Sequence, residues 1–200
     1  MILREPEPER TLKNFYDISK ICIEDLVVED STFIAKFVSI NYKDIFQLSL
    51  KRVKFRTSMQ HLIDLINEKR PFLKIIEMED VDIGDPRGFQ RLIYSYDLCH
   101  HLKAISFRKM NSYMPKMDFV EGIKLLKRNL TIRKLDISGN NFSNEEHAEI
   151  EHFMRSAKYI RHFVMKDVKM SVDNFKQYIS ALAATKAIYK FEYSEDGIPE

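Results

Sequence analysis

Histidines and one cysteine are the residues of this chain whose types could bind a metal or act in catalysis. Cys99, His100 and His101 are adjacent, but adjacent residues do not converge on one ion, and no second ligand pair follows at a metal-binding spacing. His147 and His152 are five residues apart, whereas the zinc-protease motif HExxH needs four. We therefore expect no metal site and read the two adjacent histidines as a solvated pair at the end of a helix.

Other catalytic motifs are also missing from the sequence. It contains neither of the glycine-rich phosphate motifs GxGxxG and GxxxxGK[ST], and no GxSxG nucleophile motif. Paired carboxylates such as Glu145-Glu146 fit the start of a helix, where negative charge is stabilising. The sequence therefore predicts a protein that is not an enzyme and that needs no cofactor.

The composition is that of a folded chain with nearly balanced charge. There are 32 Lys and Arg residues against 30 Asp and Glu residues, which gives a net charge of +2. Cys22 and Cys99 lack a CxxC spacing and indicate free thiols in a reducing, cytoplasmic compartment. The start of the chain, MILREPEPER, has no apolar core of a signal peptide, and no apolar run approaches membrane-spanning length.

Two basic runs, KRVKFR (51–56) and KLLKRN (124–129), could each suggest nucleic-acid binding. Val53 and Phe55 are predicted core residues, however, so the first run leaves only scattered surface charge. Nucleic-acid binding would need a continuous basic stripe, and the overall charge balance argues against one. We expect no nucleic-acid partner and no membrane partner.

Apolar residues recur along the sequence in a repeated pattern of predicted strands. The stretch LTIRKLDISGNNFS (130–143) has apolar residues spaced apolar-x-x-apolar-x-apolar, then a turn position and a further apolar residue. Matching stretches begin at positions 18, 45, 73, 102, 132, 160 and 188, so the spacings are 27, 28, 29, 30, 28 and 28 residues. Internal repeats of this length are typical of solenoids. An ordinary α/β domain with evenly spaced strands is the alternative.

Each strand-like segment is followed by a helix-like one with apolar residues at i, i+3 and i+4. SNEE (143–146) matches a helix capping box. In FKQYISALAA the predicted buried stripe consists of Phe175, Tyr178, Ile179 and Leu182. Because a helix separates each pair of strands, the strands are expected to be parallel, with right-handed connections.

At this level the chain resembles a leucine-rich repeat protein of the ribonuclease-inhibitor-like type. The resemblance covers about residues 18–193, and its close motif match is LLKRNLTIRKLDISGNNFS (125–143). It implies an α/β, right-handed, horseshoe-shaped solenoid of about seven repeats, with a parallel concave sheet and convex helices. The family's turn asparagine is present as Asn140, where its side chain would satisfy backbone groups. The other repeats have Leu26, Val53, Val81, Met110 and Val168 there, so they must use backbone bonds or water.

Residues between the apolar strand positions are expected to point away from the core, onto the concave face. In the first four repeats the two residues after the third apolar position read Glu-Asp, Lys-Arg, Glu-Asp and Arg-Lys. These pairs predict a self-neutralising charge ladder, because equivalent residues of adjacent parallel strands are neighbours. A charged docking stripe is the alternative reading. Ser138 and Gly139 end the alternation in the fifth repeat.

Beyond this interruption, charge is predicted not to pair from rung to rung. We therefore expect a partner-binding site in the C-terminal half of the concave face. Its candidate residues are Lys134, Asp136, Ser138, His162, Val164, Lys166, Lys190 and Glu192.

The predicted function is a non-catalytic protein–protein interaction scaffold or adaptor subunit. The alternative is a GTPase-activating or actin-regulatory leucine-rich repeat protein, for which Arg87, Arg91 and Arg133 are available as transition-state arginines. The predicted organisation is an N-terminal tail and cap at 1–17, a repeat domain at 18–193 and a tail at 194–200. We expect residues 194–200 to be poorly ordered, and residues 1–8 to be loose unless TLKNFYD folds as an N-terminal helical cap. Because no helix-like segment follows the last strand, we expect either that the chain is part of a larger chain or that this edge pairs with another chain in a complex.

Overall fold

One parallel β-sheet runs through the molecule. The computed structural model describes residues 2–3, 19–32, 34, 36, 45–69, 71–85, 87–97, 99–115 and 117–194. Its eight strands lie in the order of the chain, and each pairs in parallel with the next. The strands are β1 (Ile2–Leu3), β2 (Lys20–Val28), β3 (Gln47–Phe55), β4 (Ile75–Glu79), β5 (Ala104–Arg108), β6 (Lys134–Asp136), β7 (His162–Met165) and β8 (Lys190–Tyr193).

Helices alternate with the strands from β3 onward, and consecutive helices pack on one another. The helices with described bounds are α1 (Gln60–Lys69), α2 (Gly88–Asp97), α3 (Asp118–Leu125), α4 (Asn144–Ser156) and α5 (Val172–Ala184). Short 3₁₀ turns lie at Asn111–Tyr113 and Leu126–Arg128. The predicted α/β class, the parallel strands and the alternation of strands with helices are confirmed.

The core lies between the sheet and the helices, and the central strands alternate buried with partly exposed side chains. Strands β4 and β5 show the alternation over five residues each, with Ile76, Met78, Ile105 and Phe107 buried. The residue predicted to open each repeat is buried from the second repeat on. One continuous apolar cluster therefore runs through the described repeats, as expected where no single unit can bury its strand and its helix alone.

A left-handed backbone conformation recurs where the chain leaves each strand. Positive φ angles between 49° and 70° occur at Asp25, Arg52, Asp80, Lys109, Gly139 and Asp167. The intervals between these positions are 27, 28, 29, 30 and 28 residues, equal to the intervals found in the sequence. Since L-residues adopt this conformation only at a cost, its recurrence at one offset supports a repeated unit.

Asn140 performs the turn role predicted for it. Its Oδ1 accepts hydrogen bonds from the backbone N–H groups of Met110 (2.8 Å) and Asn111 (2.9 Å). Its Nδ2 donates to the carbonyls of Phe107 (2.8 Å) and Ile137 (2.7 Å). The side chain thus satisfies four backbone groups where two repeats meet.

Backbone bonds replace this device where the turn position is apolar. Around Val53 and Val81, Asp82 N donates to the Val53 carbonyl at 2.9 Å, and Phe55 N donates to the Asp82 carbonyl at 2.8 Å. Val53 and Val81 themselves are buried. The expectation that these repeats use other bonds is confirmed at this pair of strands.

The start of α4 agrees with the sequence prediction, whereas the predicted buried stripe of α5 agrees only in part. Ser143 and Glu146 form the predicted reciprocal capping box at the start of α4. In α5, Tyr178 is fully buried, but Ile179 is 46% exposed, so its predicted burial is wrong. Among the described residues no helix follows α5, and its outer side therefore has no helical neighbour to cover Ile179.

The predicted loose segments at 1–8 and 194–200 each include described residues. Ile2 and Leu3 pair with Cys22 and Ile23 of β2, so at these two positions the chain is paired and not loose. The rest of the predicted tail and cap at 1–17, and residues 195–200, lie outside the described residues.

Candidate functional site

The sheet face opposite the helices, which we call the open face, carries side chains in rows that cross the strands. Strand register gives a middle row, in which each residue faces the next on the adjacent strand. The middle row is Cys22, Ser49, Glu77, Ser106, Asp136, Val164 and Glu192. A second row, nearer the strand ends, contains Glu24, Lys51, Glu79 and Arg108.

The second row has the charge alternation predicted from the sequence. Arg52 donates to Glu24 at 2.5 Å and to Asp25 at 2.5 Å, and these two carboxylates, Asp25 first, raise the pKa of the guanidinium. Arg108 donates to Glu79 at 3.3 Å. These side chains are partly exposed, so each pair adds little stability. The alternating register of the ladder is confirmed, and it leaves little net charge at this end of the face.

Asp80 extends the ladder toward the strand ends. Its carboxylate accepts a hydrogen bond from the Tyr113 hydroxyl at 2.5 Å. This bond, assisted by burial, raises the pKa of Tyr113 to about 12. The tyrosine therefore serves as a neutral donor at this position.

The C-terminal part of the open face is also internally paired. Glu192 lies 2.7 Å from His162 Nε2, 2.7 Å from Lys166 Nζ and 2.7 Å from Lys190 Nζ. Hydrogen bonds from Lys166, Lys190 and His162, in that order of effect, hold the pKa of the Glu192 carboxyl far below its usual value. Glu192 raises the pKa of Lys166 in turn. Four of the eight predicted partner-binding residues thus form one ion-pair cluster.

Three further predicted residues are held by local contacts. Asp136 Oδ1 accepts from the Ser138 backbone N–H at 3.0 Å and from its hydroxyl at 2.6 Å. Ser138 Oγ in turn accepts from Lys166 N at 3.0 Å. Val164 is only 4% exposed. The expectation that charge in this half does not pair from rung to rung is therefore wrong, because Glu192 meets His162 and Lys166 of the neighbouring rung.

A shallow depression of ≈ 290 Å³ lies on the open face between β3 and β6. Its floor carries small side chains, and its walls carry three basic and three acidic residues. The lining side chains are Ser49, Ala104 and Ser106 on the floor, Ile75 beside them, and Lys51, Arg108, Lys134, Glu77, Glu79 and Asp136 around them. Lys134 and Asp136 are thus the predicted residues that the structure brings to this depression.

The floor of the depression holds a polar group with unused bonding capacity. Ser49 is 1% exposed, and its hydroxyl has no hydrogen-bond partner among the described residues. Buried hydroxyls normally have a partner. Glu77, next to Ser49 in the middle row, accepts from Gln47 Nε2 at 2.8 Å through one carboxylate oxygen. The depression therefore offers the partly exposed Ser106 hydroxyl and the carboxylates of Glu77 and Asp136 to a ligand, while the Ser49 hydroxyl is buried.

Sequence reasoning missed Ser49, Glu77 and Ser106 because it followed the row nearer the strand ends in the first four repeats. The useful signal lies two residues earlier in each strand. There, Ser49 and Ser106 leave space beside Glu77 between larger side chains of the same face. A comparison of both outward rows would have found the depression.

Metal-binding and arginine chemistry find little support in the side-chain geometry. In the described part of the chain, no three His, Cys, Asp or Glu residues are grouped so as to hold a metal ion. Cys99 is buried and its Sγ lies 3.3 Å from the Ser95 carbonyl, whereas His100 and His101 are exposed. Cys22 is a free thiol.

Two of the three candidate arginines have internal partners. Arg91 forms an ion pair with Asp85. Arg133 Nη1 donates to the Leu130 carbonyl at 2.8 Å, and its guanidinium lies over the Tyr159 ring. Arg87 is exposed near the start of α2.

No protein-family model matches this chain, and no curated protein matches it. Within the described ranges, every helix falls short of the length and apolar character that crossing a bilayer requires. The function proposed below therefore rests on the side chains of this chain alone.

Proposed function

We propose that this chain is a divergent leucine-rich repeat solenoid of the ribonuclease-inhibitor-like type that binds a protein segment without catalysing a reaction. Its concave surface would be the open face of the sheet. Support for the repeat type comes from the left-handed residues at intervals of 27–30 and from the bonds made by Asn140 between two repeats. Right-handed connections and a horseshoe shape are part of this proposal.

The depression between β3 and β6 is the observation on which the binding function rests. Its middle row places Ser106 between the carboxylates of Glu77 and Asp136, on adjacent strands. Neighbouring strands are about 4.8 Å apart, so the two acidic residues lie on either side of the serine. Such an arrangement suits an extended polypeptide that directs one Lys or Arg side chain into the depression.

The rim of the depression favours a peptide over a highly charged ligand. Lys51, Arg108 and Lys134 balance the three carboxylates around the floor. A rim with charges of both signs selects a ligand whose charged groups lie opposite rim groups of the other sign, because like charges placed opposite each other are disfavoured. The partly exposed Ser106 hydroxyl is available to a backbone carbonyl or N–H of the bound segment.

This proposal moves the binding site from the C-terminal half of the face to its centre. Glu192 is already bonded to His162, Lys166 and Lys190, so a partner that pairs with these side chains would have to break existing contacts. Lys134 and Asp136 remain in the proposed site. The alternative of GTPase activation or actin regulation has no specific observation in its favour.

Selection of peptides from a random display library against the whole chain would test the proposal. The Ser106→Trp variant fills the depression, and Ala183→Trp adds the same ring to an exposed position on α5 as a matched control. We expect selected peptides to carry a Lys or Arg and to lose at least about tenfold in affinity for Ser106→Trp alone. Equal affinity for both variants, with folding verified by circular dichroism, would reject the depression as the site.

A charge change sharpens the test. Glu77→Gln keeps the shape of the depression and removes one carboxylate, so it should weaken a basic peptide and leave a peptide with the basic residue replaced by norleucine unaffected. Lys166→Gln, in the cluster around Glu192, serves as the comparison. Greater loss of binding for Lys166→Gln than for Glu77→Gln would return the site to the C-terminal half.

A further inference from the structure

The sheet edge where the strands begin is rich in cations, although the chain as a whole is nearly neutral. Acidic residues are missing from the sequence windows 122–135, 152–166 and 174–191, which each run from a helix into or through the next strand and contain five, four and three Lys and Arg residues. At the opposite edge acidic and basic residues alternate, as in Glu79-Asp80 and Arg108-Lys109. The net charge of +2 therefore conceals an excess of cations at the edge where the strands begin.

The backbone joins these cations into a continuous row. Lys103 N donates to the Lys74 carbonyl at 2.8 Å, Arg133 N to the Lys103 carbonyl at 2.8 Å, and Arg161 N to the Arg133 carbonyl at 2.8 Å. The row is therefore one residue per strand at a spacing of about 4.8 Å. Phe46 precedes it and Tyr189 follows it through the same type of bond.

We call this surface the basic edge. It consists of Lys74, Lys103, Arg128, Arg133, Lys158, Arg161 and Lys186. Within the described part of the chain, none of these seven has a carboxylate partner, whereas other cations such as Arg52, Arg108 and Lys124 are paired.

Helix geometry accounts for only part of this charge. The basic edge is where the helices end, and cations are favourable near helix C-termini. Arg133 and Arg161 also donate to loop carbonyls, those of Leu130 and Ala187 among them. Lys103, Arg128 and Lys158 have no such bond in the described structure, so their charge is directed to solvent.

Exposed apolar side chains stand among these cations. Leu130 is 59% exposed between Arg128 and Arg133, and Tyr189 is 80% exposed at the end of the row. Phe46 and Phe72 are also exposed at this edge. Large apolar side chains grouped on a surface indicate an interaction site.

We infer that the basic edge docks onto an anionic lipid surface, with Leu130 and its exposed neighbours entering the headgroup region. Peripheral membrane binding combines apolar insertion with attraction between basic residues and anionic lipids. A single-stranded nucleic acid would use aromatic faces for stacking, but Leu130 has none. Two rings at this edge, Phe46 and Tyr159, are already covered by Lys74 and Arg133. This surface is separate from the depression and goes beyond the proposed peptide binding.

Vesicle co-sedimentation of the whole chain tests the inference. The probes are phosphatidylcholine vesicles with and without about 30% phosphatidylserine, at about 0.1 M salt. We expect binding only to the anionic vesicles. The pair Lys103→Gln and Lys158→Gln should weaken partitioning by about thirtyfold, since each cation near an anionic surface contributes about fivefold. Leu130→Ser should weaken it by about tenfold.

A matched double variant controls for net charge. Arg87→Gln with Lys169→Gln removes two exposed cations that precede α2 and α5, at the opposite edge, and should change partitioning less than about twofold. Equal losses for the two double variants would overturn the inference. So would an absence of vesicle binding, or unchanged binding of Leu130→Ser. Tighter binding of single-stranded polyuridylate than of vesicles would assign the basic edge to nucleic acid and overturn it as well.

Discussion

A buried histidine should make the folded state lose stability as the pH falls below neutrality. His147 in α4 is 2% exposed. Its Nε2 lies 3.1 Å from the Lys169 carbonyl, and its Nδ1 lies 2.6 Å from the Tyr178 hydroxyl. Because a carbonyl can only accept, Nε2 carries the proton, and Nδ1 accepts from Tyr178. The folded state therefore holds the neutral imidazole.

The sign of the effect follows from the pKa of His147. Burial lowers it, and the Lys169 carbonyl and the Glu146 carboxylate oppose the decrease only in part. Below the unfolded pKa of about 6.5, the unfolded chain binds a proton that the folded chain does not. Stability is therefore fully present above that value and decreases as the pH falls toward the depressed folded pKa. The loss is at most about 1.4 kcal/mol over one pH unit.

Urea unfolding at about pH 7.5 and about pH 5.5 measures this loss. The comparison uses wild type, His147→Gln and His152→Gln, the last removing an exposed histidine of the same helix. Wild type and His152→Gln should lose the same free energy of unfolding between the two pH values, and His147→Gln should lose about 1 kcal/mol less. An equal loss in all three proteins would refute the reasoning. If His147→Gln does not fold, an NMR titration showing His147 of the wild type protonated at its ordinary pKa would refute it too.

Three other outcomes are expected. Asn140→Leu leaves four backbone groups without their side-chain partner and should lower the free energy of unfolding by about 3 kcal/mol in urea, while Asn141→Ala, which removes no side-chain bond, should cost less than about 0.5 kcal/mol. Gly139→Ala should lower the free energy of unfolding by at least about 1 kcal/mol, because φ is 70° and the new Cβ would lie 2.7 Å from Lys109 Cγ. Lys109→Gly places a glycine in the same left-handed backbone conformation and should show no comparable loss of free energy. Glu192→Gln should make Tm fall less steeply with acid below about pH 4.5. A carboxylate whose pKa is depressed in the folded state adds stability above its ordinary pKa, and this stability is lost as the pH falls through the folded-state pKa. An unchanged fall of Tm in acid would contradict this.

The parts of the fold that sequence predicted are those decided by local spacing. Apolar residues such as Ile76 and Met78 two positions apart predict a strand with one buried face, and the structure buries both. Ser143 and Glu146 form the predicted capping box because a cap needs only residues three positions apart. Ile179 was misjudged because its burial depends on whether another helix lies beside α5, which its own spacing does not encode.

The candidate site was predicted less well because it depends on partners in other repeats. The alternation Glu24, Lys51, Glu79 and Arg108 could be read from the sequence, since one offset gives the register of all four. The meeting of Glu192 with His162 and Lys166 could not, because it joins different rows of neighbouring strands. Because Glu192 is already bonded to three neighbouring side chains, the depression near Ser106 becomes the better site.

The sequence by itself determined the interval of the repeats, and through it the parallel order of the strands and the position of the left-handed residues. It did so because each repeat must bury the same positions against its neighbours. Only the tertiary structure decided how the charges are distributed. Stacking aligns Lys103 with Arg133 and Arg161 along one edge, and it separates them from the acidic residues that follow the strands. The energy of interaction between charges depends on the distance between them, and the net charge of a chain gives no information about those distances.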